Sequence, residues 1–172
     1  MSKADQQTGI AVTDNEEIAN ALRRIAEMLE FKEENPFKIR SYQTAAENIG
    51  SMDESVAEIV SGGGAAELQK IPGIGKAISA QIVEIAQTGK SSYFAEITQD
   101  VPATVIDLRK VSGIGLKTAR LLYRDYGIKS LEELSVFAAS GALAAVPGMG
   151  SKTLERVKAS LARALNPPAT KI

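Results

Sequence analysis

Neither cysteine nor histidine occurs in this chain of 172 residues. Zinc sites of the usual Cys/His kind, thiol nucleophiles and histidine acid–base catalysis are therefore excluded. Tryptophan is also absent and aromatics are only 5% of residues, while Ala, Leu, Ile, Glu and Lys abound. That balance belongs to an all-α protein rather than a sheet protein. No Asp-x-Asp pair occurs, so a two-metal nucleotidyl-transfer centre has no obvious ligands. No apolar run approaches the roughly 20 residues of a membrane span, and the first dozen residues lack a signal-peptide core. A cytoplasmic location is expected.

A net charge of -1 would argue against a nucleic-acid partner if it were evenly spread. It is not. Residues 1–66 hold 6 Lys and Arg against 12 Asp and Glu, residues 67–100 hold 3 against 4, and residues 101–172 hold 11 against 5. Salt screens charge over about 8 Å, so a binding surface feels its local patch rather than the total. The C-terminal part is the stronger candidate for a surface facing DNA.

Periodicity and punctuation divide the chain into short helices. Residues 1–13 read as an unpatterned tail. Thr13 and Glu16 have the spacing of a capping box, and Ile18, Leu22, Ile25 and Leu29 fall on one helical face. Asn35-Pro36 breaks that helix, a second spans 37–49 before Gly50, and Ser51 with Glu54 has the spacing to cap a third. The third is expected to fade at Ser61-Gly62-Gly63-Gly64, the most flexible-looking stretch. A short helix is expected over 93–98 and a boundary at Pro102. Helices are then expected at 104–110, at 115–126 with Gly127 closing the end, after the Ser130–Glu133 cap, and at 150–165. Asn166-Pro167-Pro168 and the residues after it read as a disordered tail.

One pattern recurs three times: Ile71-Pro72-Gly73-Ile74-Gly75-Lys76, Val111-Ser112-Gly113-Ile114-Gly115-Leu116-Lys117 and Val146-Pro147-Gly148-Met149-Gly150-Ser151-Lys152. A leucine precedes each copy by three residues: Leu68, Leu108 and Leu143. Each reads as helix, two-glycine turn, helix. Glycine permits positive φ and leaves room for another backbone. The turn aims the free amides of the following helix, at the positive end of its dipole, toward one point. A phosphate oxygen is the natural guest, with Lys76, Lys117 and Lys152 to neutralise it. Such a site holds the backbone without reading bases, and its affinity falls with salt. Tight packing of helices would explain one copy; three copies, each with its lysine, favour phosphate. A Walker loop and a Rossmann fingerprint both fail on spacing.

These turns have the form of the helix-hairpin-helix motif. Asn35-Pro36-Phe37-Lys38-Ile39-Arg40-Ser41-Tyr42-Gln43-Thr44-Ala45-Ala46 together with the first hairpin resembles the N-terminal domain of family X DNA polymerases, most closely the bacterial and archaeal branch. The second hairpin with Gly127-Ile128-Lys129-Ser130-Leu131-Glu132-Glu133-Leu134 resembles the family's next domain, and the third matches a continuation in its prokaryotic members. The resemblance is collinear over residues 15–165. It implies a first domain over 14–98 and a second, with two hairpins, over 99–165. The first would grip the 5′ side of a DNA gap, with Lys38, Arg40 and Tyr42 lining a phosphate pocket beside Gly73, Gly75 and Lys76. The second would hold the primer-side strand through Gly113, Gly115 and Lys117; Gly148, Gly150 and Lys152 form the remaining hairpin. Phe37 is expected to be a core or interface aromatic.

The family can hold a monovalent cation on hairpin carbonyls; no other cofactor is implied. DNA with gaps, nicks or junctions is the implied partner, alongside a polymerase or repair protein. Two departures limit the chemistry. The sequence given stops before a polymerase palm, and the position of the family's imine-forming lysine is Gln81. The expectation is a non-catalytic DNA-binding module. The alternatives are a lyase at abasic sites using Lys76 or Lys38, and a protein-interaction scaffold.

Overall fold

The computed structural model describes residues 13–166; of the tails expected at 1–13 and 166–172, all but Thr13 and Asn166 lie outside the described residues. The fold is all-α, and no strand occurs among the described residues. These residues part into two units between Gln99 and Asp100. No helix among them is long and apolar enough to cross a membrane.

In the first unit, α1 (Asn15–Phe31) buries the predicted face of Ile18, Leu22, Ile25 and Leu29, and adds Ala19, Ala26, Met28 and Phe31. Burying each large aliphatic side chain is worth about 1.5–3 kcal/mol. Its cap is Asp14, whose side chain accepts from the Glu17 amide at 2.8 Å, and not Thr13. Thr13 is buried instead, its hydroxyl donating to the carbonyls of Ile85 and Ala86 at 3.3 and 3.4 Å. The expected capping box is thus one residue out of register, because a distant helix captures the threonine.

Asn35 caps α2 (Pro36–Gly50), which buries Tyr42, Ala45, Ala46 and Ile49. The next cap is Ser55 rather than Ser51: Ser55 Oγ accepts from the Glu58 amide and opens α3 (Val56–Leu68). Asn15 decides between these overlapping serine-glutamate pairs. Its Nδ2 donates to the carbonyls of Met52 and Glu54, and its Oδ1 accepts from the Val56 amide at 2.8 Å, holding residues 52–55 as a loop.

The glycine run interrupts α3 as expected: Gly64 leaves the helical conformation, with a φ of 63° and ψ of -149° that only glycine adopts without strain, and a second helical stretch runs on from this kink to Leu68. Buried Val56 and Val60 before the kink and Leu68 after it hold both halves. The first hairpin leads into α4 (Lys76–Thr88), then the short α5 (Ser92–Ile97).

In the second unit, residues Ala103–Lys110 form a 3-10 helix rather than the α-helix the spacing suggests. Its Val105, Ile106 and Leu108 are buried. The second hairpin opens α6 (Leu116–Tyr126), which Gly127 ends in the left-handed conformation at φ 68°. Ser130 caps α7 (Leu131–Ala139), and the Glu133 carboxylate accepts from the Lys129 amide at 2.6 Å. One 3-10 turn, Ala142–Ala145, then enters the third hairpin, and α8 (Ser151–Leu165) follows. Leu134, Leu143, Val157 and Leu161 join the buried core of this unit.

Candidate nucleic-acid interface

The three turns share one backbone. The amides of Ile71, Val111 and Val146 donate to the carbonyls of Leu68, Leu108 and Leu143 at 3.0, 3.3 and 3.1 Å. The amides of Ile74, Ile114 and Met149 then donate to those three aliphatic residues' carbonyls at 3.1, 3.0 and 3.1 Å. In every copy the leucine and the residue between the glycines are buried, pinning the turn to its helices.

The two glycines of each copy do different work. Gly73, Gly113 and Gly148 have φ of 83°, 95° and 83°, so the turn itself demands glycine there. Gly75, Gly115 and Gly150 have φ of -92°, -88° and -71°, which any residue adopts. A Cβ added to any of these three would meet nothing within 4 Å. The fold does not require glycine at the second position; open space in front of it is what glycine preserves.

Capping separates the same three helices from the other α-helices. Asp14, Asn35, Ser55, Ser91 and Ser130 cap α1, α2, α3, α5 and α7 with side-chain oxygens. Helices α4, α6 and α8 begin at glycine with no side-chain cap hydrogen bond. Their first amides are left for an outside acceptor. Lys76, Lys117 and Lys152 are exposed beside these ends. Lys76 occupies the first helical position and the other two the second, about 100° further round the helix.

The remaining predicted residues lie in the first unit. Tyr42 is buried and stacks on Tyr93, with ring centroids 5.9 Å apart and planes at 12°. Lys38 Nζ lies 4.9 Å from the Tyr93 centroid, so Lys38 and Tyr42 are brought together through a residue the sequence did not single out. Burial, and then the neighbouring Tyr93, push the Tyr42 hydroxyl up to about 12. A hydrogen bond with Tyr93 raises the Lys38 pKa against a smaller desolvation cost, helped by the charges of Tyr93, Glu34 and Glu96. Arg24 similarly lies 5.3 Å from the Phe94 centroid. Tyr93-Phe94, adjacent rings in a chain poor in aromatics, was the available signal.

Arg40 is exposed on α2. Phe37 is 82% exposed, so it is not a core aromatic. Asn35 Oδ1 accepts from the Phe37 amide at 2.8 Å, fixing it in the first turn of α2 and leaving its ring in solvent. Gln81 is half-buried, and its Oε1 accepts from the Ser91 hydroxyl at 3.3 Å. Among the described residues, no group of three or more carboxylates is placed to hold a metal ion.

Comparison with known proteins agrees with this geometry. Residues 13–91 match a helix-hairpin-helix domain, and residues 105–163 match a SAM-like helix-hairpin-helix tandem. The chain is 29% identical over 152 residues to the DNA polymerase/3'-5' exonuclease PolX of Bacillus subtilis, covering 88% of this chain and 26% of that protein. It is 32% identical over 116 residues to the DNA nucleotidylexotransferase of Ambystoma mexicanum, covering 67% of this chain and 21% of that protein. It is also 27% identical over 101 residues to the Holliday junction branch migration complex subunit RuvA of Nitrosomonas europaea, covering 59% and 52%. The chain spans about a quarter of the length of the first two relatives. Each unit thus contains a match to a helix-hairpin-helix model, and the relatives support a region of the family X polymerase kind.

Proposed function

We propose that this chain, built of two helix-hairpin-helix domains, binds DNA through its phosphates without reading bases. The expected targets are gaps, nicks or junctions met in repair, where a polymerase or repair protein would act alongside it. One observation carries this reading: the three helices that follow the Gly-x-Gly turns lack side-chain caps and keep open space before their first amides. Phosphate oxygens satisfy such amides, and a nearby lysine adds charge. Phe37, an exposed ring near Lys38, supplies a face on which an unpaired base can stack.

The chain is proposed to do no chemistry of its own. Imine formation requires a neutral amine, and the Tyr93 hydrogen bond stabilises the charged form of Lys38. Gln81 cannot form an imine. Borohydride trapping on abasic DNA is expected to yield no adduct, and an adduct lost in Lys76→Ala would overturn this part of the proposal. A monovalent cation on the uncharged carbonyls of the turns belongs to the same proposal. It would make affinity in potassium differ from that in tetramethylammonium at equal ionic strength.

The main test is a titration of gapped, nicked, duplex and single-stranded DNA at two salt concentrations. Expected is salt-sensitive binding that favours the interrupted duplexes, with a log–log slope of about -0.9 per phosphate neutralised. Absence of affinity at low salt would sink the proposal in favour of a protein scaffold.

A further inference from the structure

The residue before the first glycine differs among the turns. Pro72 and Pro147 have no amide hydrogen, whereas Ser112 has one. That amide donates to Ser160 Oγ at 2.8 Å, and Ser160 is only 8% exposed. The same helix seats the turn more widely: a Cβ on Gly113 would lie 2.9 Å from Val157 Cγ2 and 3.3 Å from Thr153 Cγ2. Thr153, Val157 and Ser160 stand four and then three residues apart, a single stripe along α8. The helix that opens at the third turn therefore carries the seat of the second.

The first turn has a seat of another kind. Asn48 Nδ2 donates to the Pro72 carbonyl at 2.6 Å, and a Cβ on Gly73 would lie 3.0 Å from Thr44 Cγ2. A Cβ on Gly148 would meet nothing within 4 Å.

We propose that Ser160 is a positioning residue for DNA binding by the second hairpin. It occupies the amide that proline removes from the other two turns. With Val157 and Thr153, it fixes residues 113–115 so that the first amides of α6 stay aimed at a phosphate. The inference rests on the phosphate-binding reading above. Without the Ser160 hydroxyl the Ser112 amide loses its partner, and the turn shifts off its seat to find another. Replacing Ser112 by proline removes the need for a partner. The backbone suits it, because Val111 has φ -79° and ψ 124°, close to the -72° and 131° of Val146 before Pro147.

The experiment titrates a gapped duplex over a salt series with the full chain and its Ser160→Ala, Ser112→Pro and Ser112→Pro/Ser160→Ala variants, each melted by circular dichroism. Ser160→Ala is expected to bind about three- to tenfold more weakly, with a log–log slope shallower by about 0.9, the loss of one phosphate contact. The double variant is expected to bind as the wild type does, whereas in Ser112→Pro alone the proline ring would strike Ser160 Oγ, 2.8 Å from the Ser112 nitrogen, and binding is expected to weaken. If Ser160→Ala does not fold, the double variant still tests the inference. Unchanged affinity and slope in Ser160→Ala would overturn it. So would tighter binding, which would make the Ser112 amide a phosphate donor that Ser160 withholds. A double variant that melts normally yet binds weakly would overturn it as well. A wild type that fails to bind at low salt overturns the phosphate-binding reading itself, an outcome distinct from all of these.

Discussion

The two units use the same turn in different electrostatic surroundings. The first has one hairpin, with its lysine at the first helical position, in the part of the sequence rich in carboxylates. Three of its basic side chains engage α5: Lys38 lies over Tyr93, Arg24 over Phe94, and Lys32 Nζ donates to the Ile97 carbonyl at 3.0 Å. The second has two hairpins that continue as Gly115-Leu116-Lys117-Thr118 and Gly150-Ser151-Lys152-Thr153, and residues 101–172 carry 11 basic against 5 acidic side chains. A shared turn does not imply a shared contribution. The second unit carries the excess of positive charge that would favour a polyanion under the proposed function, whereas the first commits part of its positive charge to holding its own short helix.

The comparison breaks most readily by charge reversal. Lys117→Glu/Lys152→Glu should weaken binding to a gapped duplex by about a hundredfold at moderate salt and flatten the salt slope by about 1.8. Lys76→Glu should cost several-fold less. Equal losses from the two changes, read by the same titration, would show that the units contribute alike.

A second prediction separates the two glycines within one turn. Gly113→Ala puts a Cβ 2.9 Å from Val157 at a φ of 95°, and should lower stability by about 1–3 kcal/mol. Gly148→Ala meets only the strain of positive φ and should cost less. Gly115→Val finds open space and an ordinary φ, so denaturant unfolding should change by no more than about 1 kcal/mol, the cost of a branched residue at a helix N-cap. Its branched side chain would stand where the phosphate is expected, and binding should fall sharply. If Gly115→Val binds normally, the second glycine is not there for DNA.

Much of this was legible in the sequence because the signals are local. Glycines at fixed offsets, an apolar face at helical spacing and a serine-glutamate pair each determine structure within a few residues. What escaped depends on residues far apart in the chain. Thr13 is taken from its capping role by carbonyls more than 70 residues away. Ser51 and Ser55 offer equivalent caps until Asn15 claims the loop between them. The glycine run interrupts α3 at Gly64 as its composition suggests, but that composition does not show the helical stretch that resumes to bury Leu68. At the candidate site, the turns and their lysines could be found by inspection. The pairing of Lys38 and Tyr42 through Tyr93, and the seat that Ser160 and Val157 give Ser112 and Gly113, exist only once helices pack.

The smallest predicted effect concerns alkaline pH and belongs to the first unit. Both Tyr42 and Lys38 have raised pKa values in the folded chain, so it retains these protons to higher pH than the unfolded chain does. Where the unfolded state binds fewer protons, stability falls as pH rises. Tyr42's contribution is therefore fully present below the ordinary tyrosine value of 10.0 and is lost progressively as pH climbs toward about 12. Tyr42→Phe removes that titration while keeping a ring to stack on Tyr93. Thermal melting across this range should fall less steeply in the variant than in the wild type, and tyrosinate absorbance should show one fewer late-ionising phenol. Identical slopes for wild type and Tyr42→Phe would mean that the stacked pair does not hold its proton as the packing requires.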